Sequence, residues 1–163
     1  MKLGVFCSNR CPGDLILAAY DWARAVRRRN DLTIVSGFHT VIEKDVLEIL
    51  LAGSCPIVVV PARSAERMRI PAAWKAPLAA GRLIIESPFA ASARRITKEN
   101  ALLRNAYIAG LVDEILIIHA SAEGHLEEQC RGWLGEAKKV SALAGAQNQR
   151  LFEMGVEPYN EEH

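Results

Sequence analysis

Residues 33–62 read TIVSGFHTVIEKDVLEILLAGSCPIVVVPA. Thr33-Ile34-Val35 is a β-branched run, the composition that favours a strand. The run breaks at Ser36-Gly37, and from Val41 the apolar residues recur at the spacing of an amphipathic helix that Gly53 closes. The stretch from Pro56 to Ala62 is then nearly all apolar, as expected of a strand buried on both faces. Strand, helix and apolar strand in that order make a βαβ unit, and such units build parallel sheets.

The same alternation extends in both directions. KLGVFCS reads as a first strand, and GDLILAAYDWARAVRRR as a helix announced by Pro12-Gly13-Asp14. After Ala62, AERMRIPAAWKAPLAAG is helical in parts, interrupted by Pro71 and Pro77, and RLIIES is a fourth strand. SARRITKENALLRNAYIAGLV reads as one long helix, EILIIHA as a fifth strand, GHLEEQCRGWLGEA as a helix and KKVSAL as a sixth strand at the sheet edge. The tail, from Asn148, reads as a short helix and a loose end. The expected fold is α/β: one doubly wound, mostly parallel, Rossmann-like domain over residues 1–163, with helices on both faces.

Half of the 163 residues are hydrophobic, enough for a sizeable core. No apolar run approaches the ~20 residues that span a bilayer, so no membrane partner is expected and a cytoplasmic protein is the simple reading. Its four cysteines would then stay reduced. Cys7 and Cys11 frame CSNRC, but no second pair has zinc spacing, so neither metal nor cofactor is expected. The net charge of +1 hides segregation. Residues 63–104 carry nine basic and three acidic side chains, residues 105–163 four and ten. Such a division allows a local positive field in a nearly neutral protein.

In doubly wound folds ligands bind beyond the carboxyl ends of the strands. Those ends carry Ser8, Asn9 and Arg10; Ser36, Gly37, Phe38, His39 and Thr40; Arg63 and Ser64; Glu86 and Ser87; and His119, Ser121, Glu123, Gly124 and His125. Small hydroxyl residues, glycine and arginine at helix N-termini suit a phosphate. Neither G-x-G-x-x-G nor G-x-x-x-x-G-K-[ST] occurs, which argues against a standard dinucleotide dehydrogenase or P-loop NTPase. There is no G-x-S-x-G elbow either.

Residues 33–62, GRLIIES at 81–87 and RNAYIAGLVDEILIIHASAEG at 104–124 together resemble the Rossmann-like core of the DNA-processing protein A (DprA, or Smf) family. That core lies in the SLOG group of nucleotide-binding folds, with the LONELY GUY-type phosphoribohydrolases. The family's signatures fall, in order, on Ser8-Asn9-Arg10, Ser36-Gly37, Glu86-Ser87, Arg104-Asn105 and Ser121 to Gly124. Two departures stand out. The turn after Ser36-Gly37 is bulkier than the family's usual one, and Glu43 stands where Asp is common. The glycine-rich phosphoribohydrolase loop is replaced by HASAEGHLEEQC, with Glu127 or Glu128 near the place of its glutamate.

The resemblance implies a binding protein that holds single-stranded DNA or a nucleotide phosphate at the carboxyl edge of the sheet and forms a homodimer or larger assembly. Ser8, Asn9, Arg10, Ser36, Gly37, His39, Arg104, Asn105, Ser121 and Gly124 would form the site. Arg94, Arg95 and Lys98 are candidate backbone contacts, with Arg94 and Lys98 on one helix face at i and i+4. Two alternatives stand beside it: a nucleotide hydrolase with Glu86 or Glu43 as acid or base, and a regulatory protein with a vestigial pocket. Gly37 is expected to let the backbone turn closely over a phosphate. Phe38 and His39 either wall the pocket or, respectively, pack under the helix and cap it. Glu43 either orients Arg10 or is a solvated helix residue. Trp22, Trp74 and Trp133 fall on helices, either partly exposed, where they would serve an interface, or in the core, the commoner place for them.

Overall fold

The computed structural model describes residues 1–161. Its strands are β1 (Lys2–Cys7), β2 (Thr33–Ser36), β3 (Ile57–Val59), β4 (Leu83–Ile85), β5 (Glu114–His119), β6 (Val140–Ala142) and β7 (Glu157–Pro158). Its helices are α1 (Gly13–Val26), α2 (Val41–Leu51), α3 (Ala72–Ala79), α4 (Lys98–Leu111), α5 (His125–Gly135) and α6 (Gln149–Met154), the last preceded by a 3-10 turn at Ala146–Asn148. The strands form one sheet in the order β4-β3-β2-β1-β5-β6-β7, and every pair is parallel. The chain walks outward from β1 to β4, then returns to lay β5 on the other side of β1. The topological switch point therefore lies between β1 and β5.

Strand periodicity of two divides the core between the faces. Leu3, Val5, Cys7, Ile34, Ile57, Val59, Leu116 and Ile118 pack with α1 and α2. Phe6, Val35, Val60, Ile115 and Ile117 pack with α4, α5 and α6 on the other side. α1 supplies Leu15, Ala19, Trp22, Ala23 and Val26, a helical stripe. Trp22 and Trp133 are 3% and 5% exposed, and Trp74 is partly buried against the first cluster. For two of the three tryptophans the core alternative therefore holds and the interface one fails. Phe6 stacks on Trp133 at a centroid distance of 5.0 Å, so that ring is a core residue.

Three further expectations change. The long helix expected from Ser92 begins only at Lys98, because the Thr97 hydroxyl accepts the Asn100 N–H at 3.0 Å and caps it there. Ala93 and Arg94 instead donate to Ala90 and Ser92 in turns. Arg94 and Lys98 therefore do not share a helix face. Residues 65–71 form no helix: Pro71 starts α3 and biases its predecessor away from helical geometry, whereas Pro77 sits inside α3 without ending it. The sixth strand is not the edge. Gly155, at φ 110°, ends α6 in the left-handed conformation and turns the chain into β7, which pairs with β6. A two-residue strand containing a proline is a weak template for further pairing, which suits an edge.

Candidate functional site

A cleft of about 760 Å³ opens at the carboxyl edge of the sheet, beside the switch point. Ser8, Asn9 and Arg10 line it from the β1 end, His39, Thr40 and Glu43 from the start of α2, and Lys98, Arg104 and Asn105 from α4. Ser121, Gly124, His125 and Gln129 close the far side. Eight of the ten expected site residues meet there, together with Lys98. Ser36, Gly37, Arg94 and Arg95 do not line it.

Ser36 is fully buried, and its hydroxyl accepts the Phe38 N–H at 3.2 Å. It shapes the turn. Phe38 takes a φ of 47°, a conformation a bulky residue adopts only under constraint, and buries its ring in the core beside α2. Gly37 serves a different purpose from the one expected. A Cβ there would lie 1.9 Å from Nη1 and 2.3 Å from Cζ of Arg104. The missing side chain makes room for a guanidinium.

Arg104 is 5% exposed. Its Nη1 donates to the Val60 carbonyl at 3.3 Å and its Nε to Asn105 Oδ1 at 2.8 Å. Burial pushes its pKa down, opposed by the nearby Glu43 carboxylate. An arginine nonetheless keeps its charge at any physiological pH. Asn105 in turn donates to Gln129 Oε1 at 3.0 Å, and Gln129 donates to the Leu102 carbonyl at 3.0 Å, which fixes α4 against α5.

Glu43 is neither solvated nor paired with Arg10. It is 6% exposed. Its Oε2 accepts the Cys7 N–H at 2.9 Å, and its Oε1 accepts the N–H groups of His39 and Thr40 at 3.0 and 3.2 Å. With the Thr40 hydroxyl accepting the Glu43 N–H, this is a capping box that also reaches across to β1. Thr40, not His39, caps α2. His39 is left at the cleft mouth, where desolvation and then Arg104 push its imidazole pKa down, with Glu43 opposing.

On the other side of the switch point, Ser8 donates its N–H to the His119 carbonyl and accepts the Ser121 N–H on its hydroxyl, both at 2.9 Å. The tips of β1 and β5 are thereby tied together. No side chain caps the N-terminus of α5 at Gly124, and Gly124, His125 and Leu126 all face the cleft. The positive end of that helix dipole points at the space. His119 is held by Asn148 at 3.0 Å and takes no place in the lining. Glu86, at the end of β4, lies outside the lining as well. Glu127 is locked by Arg150 through two hydrogen bonds of 2.8 and 3.0 Å, and that pairing holds its carboxyl below the usual range.

The basic segment 63–104 does not act as one stripe. Arg82 donates to the Leu50, Leu51 and Cys55 carbonyls and finishes α2, while Arg104 is buried. The cleft itself holds Arg10, Lys98 and Arg104 against the single carboxylate of Glu43. Thr40 stands among the strand-end residues read from sequence but not among the ten expected site residues, and Gln129 is in neither group. The T-x-x-E spacing of Thr40 and Glu43 was the available signal for the first, and Gln129 carried none.

An open parallel α/β sheet with a polar, cationic cleft at its switch point is a Rossmann-like ligand-binding architecture. No protein-family model and no curated protein matches the chain in sequence. Among solved structures, it superposes on DNA processing protein A (DprA) from Streptococcus pneumoniae with a TM-score of 0.77 at 19% identity, covering 97% of this chain and 58% of that one. It superposes on DprA from Helicobacter pylori, a structure described for its single-stranded DNA binding mode, with a TM-score of 0.75 at 18% identity. That match covers 98% of this chain and 76% of the other. The fold is thus DprA-like, as the sequence resemblance implied, and this chain spans little more than half the length of the first of these structures.

Proposed function

We propose that the cleft binds a phosphate-bearing ligand, single-stranded DNA or a nucleotide, and holds it without cleaving it. The observation that carries this reading is the convergence of Arg10, Lys98, Arg104 and the uncapped N-terminus of α5 on one cleft beside the switch point. Three cations against one engaged carboxylate favour an anion, and the volume falls within the ~300–1,000 Å³ range of small-ligand sites. The likeness to a single-stranded DNA-binding DprA supports the choice of nucleic acid.

The hydrolase alternative is disfavoured by the state of the carboxylates. Both oxygens of Glu43 accept backbone N–H groups, Glu127 is held by Arg150, and Glu86 lies off the cleft. A general acid or base needs a carboxyl within reach of the scissile bond and free to exchange its proton. The test is a titration of the folded protein with a fluorescent oligonucleotide and, separately, with a panel of mononucleotides. Binding with no release of base or phosphate is expected. No binding to either would overturn the reading in favour of a vestigial pocket, and catalytic release would favour a hydrolase. Homodimer assembly belongs to the same proposal. With two tryptophans buried, its support is the apolar surface exposed at Leu17, Val41 and Leu103. Light scattering showing a strict monomer at high concentration would end it.

A further inference from the structure

Gln129 lines the far side of the cleft, one turn into α5, and its two amide atoms have different partners. Its Nε2 donates to the Leu102 carbonyl at 3.0 Å, and its Oε1 accepts Asn105 Nδ2 at 3.0 Å. Asn105 Oδ1 in turn accepts Arg104 Nε at 2.8 Å. We propose that Gln129 is a positioning residue: through the Asn105 amide it orients the buried Arg104 guanidinium so that Nη2 is presented to the ligand. This role rests on the phosphate-binding reading of the cleft and goes beyond fixing α4 against α5.

The chain of bonds runs in one direction only. A backbone carbonyl accepts and never donates. The Leu102 carbonyl therefore takes the NH2 group of Gln129 and leaves Oε1 for Asn105. That oxygen also only accepts, so Asn105 gives it Nδ2 and keeps Oδ1 for Arg104. A guanidinium only donates, so an Asn105 amide turned the other way would set its own NH2 against Arg104 Nε. The two orientations of an asparagine amide have nearly the same shape. Gln129 selects the one that Arg104 needs.

The rest of the guanidinium shows what is being aimed. Nη1 donates to the Val60 carbonyl at 3.3 Å, and the missing side chain of Gly37 leaves the space in which the group lies. Nη2 has no hydrogen bond among the described residues. The one enclosed side-chain nitrogen or oxygen without a partner among those residues is Trp22 Nε1, so Nη2 is not enclosed. Because Arg104 lines the cleft, the Nη2 N–H groups are open to it. An arginine holds a phosphate best when its planar fork meets the oxygens squarely. Without Gln129 the Asn105 amide is free to turn. Arg104 then keeps its charge and loses the shorter of its two anchors, and the fork loses its aim.

The experiment compares the wild type with Gln129→Met, which keeps an unbranched side chain of similar size and removes both hydrogen bonds, and with Lys138→Met. Lys138 Nζ donates to the Ala109 carbonyl at 3.2 Å and ties down the other end of α4, outside the cleft lining. Each folded protein is titrated with the fluorescent oligonucleotide. The Arg104 Nε–H signal of each ligand-free protein is followed in a proton–nitrogen correlation spectrum, where its loss in Arg104→Lys assigns it. A slowly exchanging Nε–H is expected in the wild type and in Lys138→Met, and its loss to solvent exchange in Gln129→Met. Oligonucleotide binding should be several-fold weaker in Gln129→Met and unchanged in Lys138→Met. Gln129→Asn keeps an amide one methylene too short to reach both partners, so it should match Gln129→Met and replaces it if that variant does not fold. An unaltered Nε–H signal, or unaltered affinity, in the Gln129 variant overturns the proposal and leaves Gln129 as a clamp alone. If the wild type binds no oligonucleotide, the cleft reading fails and the role toward ligand fails with it, while the Nε–H signal still decides whether Gln129 orients Arg104.

Discussion

Gly37 and Gly53 both lack room for a larger side chain, but what fills the space differs. At Gly37 the obstacle is the tip of Arg104, a flexible side chain; at Gly53 it is the Arg27 carbonyl, 2.0 Å from a built Cβ. A side chain can swing away, whereas the Arg27 backbone also accepts the N–H groups of Ser54 and Cys55 and cannot. Gly53→Ala should therefore lower stability by ~1–3 kcal/mol, the range of overpacked sites. Gly37→Ala should cost less in stability and yet lose most ligand binding, because it displaces Arg104. Urea denaturation and oligonucleotide titration of both variants check the contrast. Gly37 was legible as a turn glycine, but not what the missing side chain makes room for, because the guanidinium it admits comes from a residue 67 positions later in the chain. His39 gives a second test at this scale. Its imidazole is pushed down by desolvation and then by Arg104, against Glu43, with Lys44 adding to the depression, so it is mostly neutral at pH 7. A bound phosphodiester would favour the protonated ring, so affinity should rise as pH falls through the imidazole range. His39→Gln should flatten that rise, measured by oligonucleotide titration across the pH series.

The start of each helix decides which charges reach the cleft. Thr40 and Glu43 begin α2 and also hold the end of β1 through the Cys7 N–H. Thr40→Ala should cost ~1 kcal/mol, as lost caps do. Glu43→Ala should cost more, up to ~3 kcal/mol, because it strands a buried N–H; thermal unfolding of the two variants tests the order. The strands and α2 were readable because their apolar periods are strong and their turn residues are local. The start of α4 was not. Residues 92–97 contain good helix formers, and only the Thr97 cap together with turns at Ala90 and Ser92 stops the helix there. That late start removes Arg94 and Arg95 from the cleft and keeps Lys98 in it. Salt dependence should follow. If single-stranded DNA is bound, each neutralised phosphate contributes about −0.7 to the log–log slope. Arg10→Ala with Lys98→Ala should flatten the slope by about 1.4 if each cation neutralises one phosphate. Arg94→Ala with Arg95→Ala should leave it nearly unchanged, and a larger effect there would return the loop to the site.

Across the whole molecule, the β-α alternation was enough to foresee a parallel sheet and hence the edge where the cleft opens, but strand order depends on contacts between distant segments. The position of β5 beside β1, which creates the switch point, is one such contact, and β7 is another. β7 is too short to announce itself by period. It follows α6, which is anchored on α5. Glu127, on α5, is 2% exposed and receives both Arg150 hydrogen bonds from α6, with Arg131 at 3.6 Å beside it. Leu151 and Val156 bury the other side of this connection. Arg150 itself is exposed, so solvent screens the pair and its contribution is modest. Glu127→Gln should therefore lower Tm by a few degrees at pH 7, measured by circular dichroism. The sign with pH follows from the depressed carboxyl: its stabilisation is present above the unfolded pKa, about 4.5, and is lost as pH falls through the lower folded value. The gap between wild type and Glu127→Gln should accordingly close on acidification from pH 5 downward, while Arg150→Ala should show the same closing gap because it removes the same contact. A gap that stayed constant into the acid range would mean that α6 is held by its apolar side alone, and that the ion pair contributes nothing to docking the seventh strand.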